Sequence, residues 1–156
     1  MKRILLVLMI LAVFSCEQTN KDIPKEGFTN SKGIVGSWKL VYGEIKEGDS
    51  IQIKDLSKSD FIKLINKDHF AFFNQPTTGG DGFYAGGGSY SLDGNNYVEK
   101  LEYIAVDEVR GHEFQFQIEI KGDTLIQSGI EDVPEARIKR HIIEKYVRID
   151  QKSLEK

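Results

Sequence analysis

The stretch GGGSYSLDGNNYVEKLEY, Gly86 to Tyr103, decides the fold. Two alternating runs, SYSLD and NYVEKLEYIAV, meet across Gly94 and Asn95, the residue types a tight hairpin turn prefers because they tolerate positive φ. Neither face of the second run is uniformly apolar. Tyr97, Glu99, Leu101 and Tyr103 share one side, and Val98, Lys100, Glu102 and Ile104 share the other. Gly86, Gly87 and Gly88 are read as the foot of the first strand, where missing side chains let the chain turn the corner of a small barrel. A phosphate cradle would need a helix start after the glycines and a lysine aimed at the phosphate. Here a strand follows, with no such lysine.

Working outward, GIVGSWKLVYGEI alternates Trp38, Leu40 and Tyr42 with Lys39, Val41 and Gly43 and is read as a first strand. In FIKLINK, Phe61, Leu64 and Ile65 recur at helical spacing, and Ser57 with Asp60 matches a capping box, so the spacing favours a short helix with a strand as the alternative. DHFAFFN is a strand, and QPTTGGDGFYAGGG a glycine-heavy connection. A second hairpin joins HEFQFQIEIK to TLIQSG across Gly122 and Asp123. There Phe114, Phe116, Ile118 and Ile120 alternate with Gln115, Gln117, Glu119 and Lys121, which predicts one buried and one wet face. VPEARIKR is a loop or short helix, and HIIEKYVRID a last strand. Seven or eight strands, mostly sequential neighbours, with no long amphipathic helix predict an all-β, up-and-down antiparallel barrel, or a sandwich.

The 156 residues suffice for one domain. With 21 Lys and Arg against 24 Asp and Glu, the balance is weakly acidic and carries no electrostatic footprint for nucleic acid. The opening MKRILLVLMILAVFSC is more specific. Lys2 and Arg3 precede an apolar run from Ile4 to Phe14 that as a helix would rise only about 16 Å, short of the ~30 Å hydrocarbon core, so a cleaved signal peptide is predicted rather than a span. Cys16, the only cysteine, follows the small Ser15 and has no disulfide partner. Val13-Phe14-Ser15-Cys16 resembles a bacterial lipobox, which implies acylation of Cys16 and attachment to a membrane. The expected organisation is a signal peptide at 1–16, a polar tether at 17–32, a barrel at 33–150 and a tail at 151–156.

Gly36-Ser37-Trp38 resembles the Gly-x-Trp of lipocalins and related calycin barrels. In order, DHFAFF, GGGSYSLDGNNYVEKLEY and EKYVRI resemble the lipocalin-like lipoproteins common in Bacteroidetes, over roughly residues 34 to 150. The family pattern more often has Trp where Tyr146 stands. The resemblance implies a barrel of eight to ten strands with an internal cavity open at one end. It also implies a structural contact between Arg148 on the last strand and Trp38 on the first, with a cavity-facing Arg148 as the alternative. It implies no chemistry.

If the tyrosine face of Tyr97 and Tyr103 points inward, Glu99 is an interior carboxylate that needs a partner, and Arg148, His69 and the Tyr90 and Tyr146 hydroxyls are the candidates. If not, Glu99 is solvated. Apolar lining is expected from Phe70 or Phe73, Phe114, Phe116, Ile118 and Tyr97. His69 reads as a turn or cavity-wall residue. No two histidines are spaced for zinc, no Gly-x-Ser-x-Gly elbow is present, and no cofactor or enzymatic activity is expected. The candidate ligand-binding set is therefore His69, Tyr90, Tyr97, Glu99, Tyr103, Phe114, Phe116, Tyr146 and Arg148. The expected function is binding of a small hydrophobic or amphipathic molecule by a lipid-anchored outer-membrane protein. A filled barrel contacting another envelope protein or a glycan is the alternative.

Overall fold

Strand follows strand, each paired antiparallel to a neighbour, until the last meets the first. The computed structural model describes residues 33–79 and 81–149. The strands are β1 (Gly36–Glu47), β2 (Ser50–Ile53), β3 (Ser59–Ile65), β4 (His69–Pro76), β5 (Tyr84–Asp93), β6 (Asn96–Ile104), β7 (Glu113–Lys121), β8 (Thr124–Val133) and β9 (Ile138–Arg148), with one 3-10 turn at Pro134–Ala136. Pairing of β1 with β9, from Trp38 opposite Arg148 to Lys46 opposite His141, closes the ring. Eight strands form a closed up-and-down barrel, so the ring itself has no free sheet edge. The ninth, β2, pairs with the last residues of β1.

β2 and β3 both run antiparallel to β1, β2 opposite Glu44–Glu47 and β3 opposite Gly36–Lys39. They lie in succession along the same edge of β1, separated by residues 54–58. The helix favoured over FIKLINK is therefore corrected to strand. Phe61, Lys63 and Ile65 are buried at period two, and the start of β1 gains a hydrogen-bonded neighbour that a helix cannot supply. The capping box is likewise replaced: Ser57 bonds Asp55 through its backbone N–H (3.2 Å) and hydroxyl (2.6 Å), while Asp60 pairs with Lys39 at 2.6 Å.

Both predicted hairpins form, at Gly94 and Gly122, each glycine having positive φ (58° and 62°). The glycine triplet, expected at the foot of a strand, lies inside β5. Its register against β6 slips, Gly88 opposing Leu101 and Gly87 opposing Tyr103, so that Glu102 is an extra residue on β6. A Cβ on Gly88 would run into the Lys100 carbonyl oxygen, so the two backbones approach this closely only because Gly88 has none. The bulge reverses the alternation along β6. Tyr97, Glu99 and Leu101 are buried, but Tyr103 turns outward, 69% exposed, and Ile104 packs against the core. That corrects the expected common face of Tyr97 and Tyr103.

The core divides by height. Around the start of β1, Trp38 is fully buried and donates its indole N–H to the Ile34 carbonyl at 2.8 Å. Arg148 lies 4.1 Å from the Trp38 ring and donates to the carbonyls of Val35 (2.8 Å) and Gly33 (2.7 Å). This end is closed, and the connections β3–β4, β5–β6 and β7–β8 share it. The β2–β3, β4–β5, β6–β7 and β8–β9 connections ring the other end, where the interior opens.

Candidate functional site

A cavity of about 380 Å³ occupies the open half of the barrel. One wall is apolar: Leu101 and Ile104 of β6 and Phe114 and Phe116 of β7, with Phe61, Phe72 and Tyr84 beside them. Phe61 and Phe72 stack at 5.5 Å between centroids. Gly129, opposite Phe116, leaves room for that ring, since a Cβ there would stand 2.7 Å from its Cδ1.

The facing wall is charged and internally paired. Near the open end Glu131 of β8 and Arg140 of β9 are directly opposed and bonded at 2.5 Å. Deeper, Lys54 donates to Glu144 at 2.8 Å, and Tyr146 donates to the other oxygen of Glu144 at 2.5 Å. Lys54 directly follows β2, and its backbone N–H donates to the Gly43 carbonyl at 2.8 Å. Gly43 faces inward opposite Glu144, and a Cβ on it would stand 2.6 Å from Lys54 Cδ. The lysine stem fills the place of the missing side chain.

Deepest of all, the Lys63 ammonium pairs with Glu99 and donates to Gln127 at 2.8 Å. The rings of Phe70, Tyr97 and Tyr146 surround it at 5.4, 5.5 and 5.7 Å. The Lys63 and Glu99 side chains are only 3% and 9% exposed, a setting in which an unpaired charge would cost several kcal/mol.

The two deep carboxylates are tuned in opposite directions. Burial pushes Glu99 up, and Lys63 with the Tyr97 hydroxyl draws it only part of the way back. Burial also acts to raise Glu144, but Lys54, Lys63 and the Tyr146 hydroxyl outweigh it and hold the carboxyl below the usual range. For Lys54, burial acts to lower the pKa and the Glu144 charge overcomes it, leaving the ammonium more basic than usual. Tyr97 and Tyr146 are pushed up, first by burial and then by the carboxylates beside them.

Of the nine residues the sequence nominates, Glu99, Phe114, Phe116 and Tyr146 line this cavity. Tyr97 is fully buried, its ring turned to Lys63. Tyr90 packs on Tyr97 at 5.1 Å and donates to the Asn66 carbonyl at 2.7 Å, which ties down the β3–β4 turn. His69 is half-exposed at that turn, 2.7 Å from Asp68. Tyr103 points outward, and Arg148 is engaged at Trp38. Those five, Tyr97 included, do not line the cavity. Phe70 and Ile118 belong to the core outside its lining, Phe73 is 41% exposed, and Phe72 lines the cavity instead. Cys16 and its expected acylation lie outside the described residues.

Glu99 is interior, as the inward reading of its strand requires, but its partner is none of the four candidates. Lys63 was missed because the helical reading of FIKLINK scatters Phe61, Lys63 and Ile65, whereas a period of two aligns them. A signal for Glu144 was also present: it stands between Ile142 and Tyr146 on the inward face of β9. Lys54 had none, because it lies in the interruption between two strands. Among the described residues no three His, Cys, Asp or Glu side chains gather to hold a metal ion.

These features define an all-β, closed eight-stranded up-and-down barrel domain with one extra strand. The chain belongs to the DUF4488 family, a domain of unknown function, whose model matches residues 33–156. No curated protein matches the sequence.

Proposed function

We propose that this protein binds a small amphipathic molecule inside its barrel and works at a bacterial outer membrane, held there by lipid on Cys16. The cavity carries the reading. Several hundred Å³ is the scale of a small-molecule site, and an apolar wall facing a few convergent polar groups is its usual make-up. At about 30 Å³ for a water-sized group, 380 Å³ accommodates a ligand of about a dozen non-hydrogen atoms. Leu101, Phe114 and Phe116 would cover its apolar body, and the Lys54–Glu144 pair would meet its polar part. A barrel filled solid by side chains, acting only through its outer surface, is disfavoured by the same volume.

The anchoring reading rests on the basic and apolar opening of the chain before Cys16, and on the resemblance to lipocalin-like lipoproteins. Stable attachment takes more than one acyl chain, which a diacylglyceryl cysteine supplies. Native mass spectrometry of the protein purified from its own envelope tests the first half. A recurrent small-molecule adduct is expected, and repeated preparations that carry none, with no thermal stabilisation by lipids, would defeat it. Metabolic labelling with palmitate tests the second: label is expected in the wild type and lost in Cys16→Ser.

A further inference from the structure

Resting on the cavity reading above, we infer that the site selects a ligand with no net charge, whose polar end both donates and accepts hydrogen bonds. The reason is a charge balance written into the wall. Three cations and three carboxylates line the cavity, and each is already committed to a partner of opposite sign: Arg140 to Glu131, Lys54 to Glu144 and Lys63 to Glu99. The pairs grow drier with depth. Side-chain exposure is 33% and 19% for the first, 28% and 9% for the second, and 3% and 9% for the third.

A ligand anion entering this space meets no free cation among the described residues. It must either sit beside carboxylates or draw Lys54 away from Glu144, leaving a buried carboxylate uncompensated. A ligand ammonium meets the mirror-image obstacle at Lys54. A hydroxyl or amide does neither. It can accept from the Lys54 ammonium, which has three protons and gives one to Glu144, and it can donate to a carboxylate lone pair, with the ion pair intact. The selectivity arises from repulsion and desolvation acting against ionic competitors rather than from a new attraction.

Lys54 is the specificity-determining residue on this argument, because its pair is the deepest that retains solvent access on the cation's side. The prediction is therefore that removing one member of the pair changes the preferred sign of the ligand. Without Lys54, Glu144 becomes an unpaired anion facing the cavity. Without the Glu144 charge, Lys54 becomes an unpaired cation.

Octanol, octanoate and octylammonium differ in the charge of the head group and fit the volume. Their binding can be measured by titration calorimetry at neutral pH on the full chain carrying Cys16→Ser, which alters no described residue. In that background octanol should bind at least about tenfold more tightly than either ion. Lys54→Met should shift the preference to octylammonium, Glu144→Gln should shift it to octanoate, and the double variant should restore octanol. The two single variants are independent, so failure of one to fold leaves the other decisive. Tighter binding of an ion by the background protein, or an unchanged ranking in the folded variants, would overturn the inference while leaving the cavity reading in place. No binding by any of the three would overturn both.

Discussion

The stem of Lys54 occupies the space that a side chain on Gly43 would take, and so the Lys54 ammonium enters the barrel from an interruption between strands to meet Glu144 at 2.8 Å. A glycine on an inward-facing position of β1 and a lysine outside any strand form one structural unit.

That unit is testable by a double-mutant cycle. Gly43→Ala places a methyl group against the lysine stem, and overpacking of this size costs about 1–3 kcal/mol. In a Lys54→Ala background only the Cβ of that stem remains, 3.3 Å from the new methyl, so the same glycine change should cost less by more than about 0.5 kcal/mol, beyond the scatter of independent sites. Urea midpoints of the four proteins measure the coupling. Equal costs in both backgrounds would show that the two residues do not interact.

Lys63 and Glu99 form the second unit. Lys63→Met leaves a carboxylate buried without its ammonium, and removing one partner of a buried pair costs about 3–5 kcal/mol. Adding Glu99→Gln removes the orphaned charge and should recover at least about half of that loss. Equilibrium unfolding of the two variants, with far-UV circular dichroism as the check on the fold, decides the matter. A double variant no more stable than Lys63→Met would contradict the pairing.

The opposed tuning of the two carboxylates predicts opposite pH dependences. Glu144 is held below its ordinary value, so between that lowered value and about 4.3 the unfolded state binds more protons. Its contribution is complete above about pH 4.3 and is lost as the pH falls through the folded value. Glu99 is raised, so its folded state binds more protons above about pH 4.3, and stability falls as the pH climbs through its folded value. Unfolding free energies measured across this range should show a shallower acid-side loss in Glu144→Gln and a shallower decline with rising pH in Glu99→Gln. The reverse assignment would refute the opposed tuning.

Gly88→Ala should be more damaging than its size suggests. The added methyl meets the Lys100 carbonyl, which is backbone and cannot swing aside. Either the β5–β6 bulge opens or the strands separate, at a cost of about 3 kcal/mol or more. Because the bulge sets the parity of the end of β6, Tyr103 fluorescence quenching by a water-soluble quencher, read in variants whose other tyrosines are phenylalanine, reports its survival. An unchanged Tyr103 signal together with wild-type stability would count against this account.

Much of this architecture was legible without coordinates, because a strand's alternation and a turn's glycine are local properties. Phe114, Phe116 and Ile118 announced an inward face in β7, Gly94 and Gly122 announced hairpins, and sequential strands announced a meander. The same locality explains the errors. FIKLI is apolar at both a helical and a strand period, and what decides between them is the edge of β1 that β9 does not pair. The β6 bulge is invisible in β6 itself, since it originates in the close approach of Gly88 on the neighbouring strand.

The sequence by itself determined most of the strands, their two-sided patterning and the presence of a carboxylate, Glu99, that burial would oblige to find a partner. Only the tertiary structure decided which partner. Lys63 meets Gln127 across 64 positions of chain and Lys54 meets Glu144 across 90, distances over which residue order says nothing about proximity. Closure of β1 on β9 and the register of each pair bring those groups together, and in so dry an interior each charge is stable only opposite the one it was brought to meet.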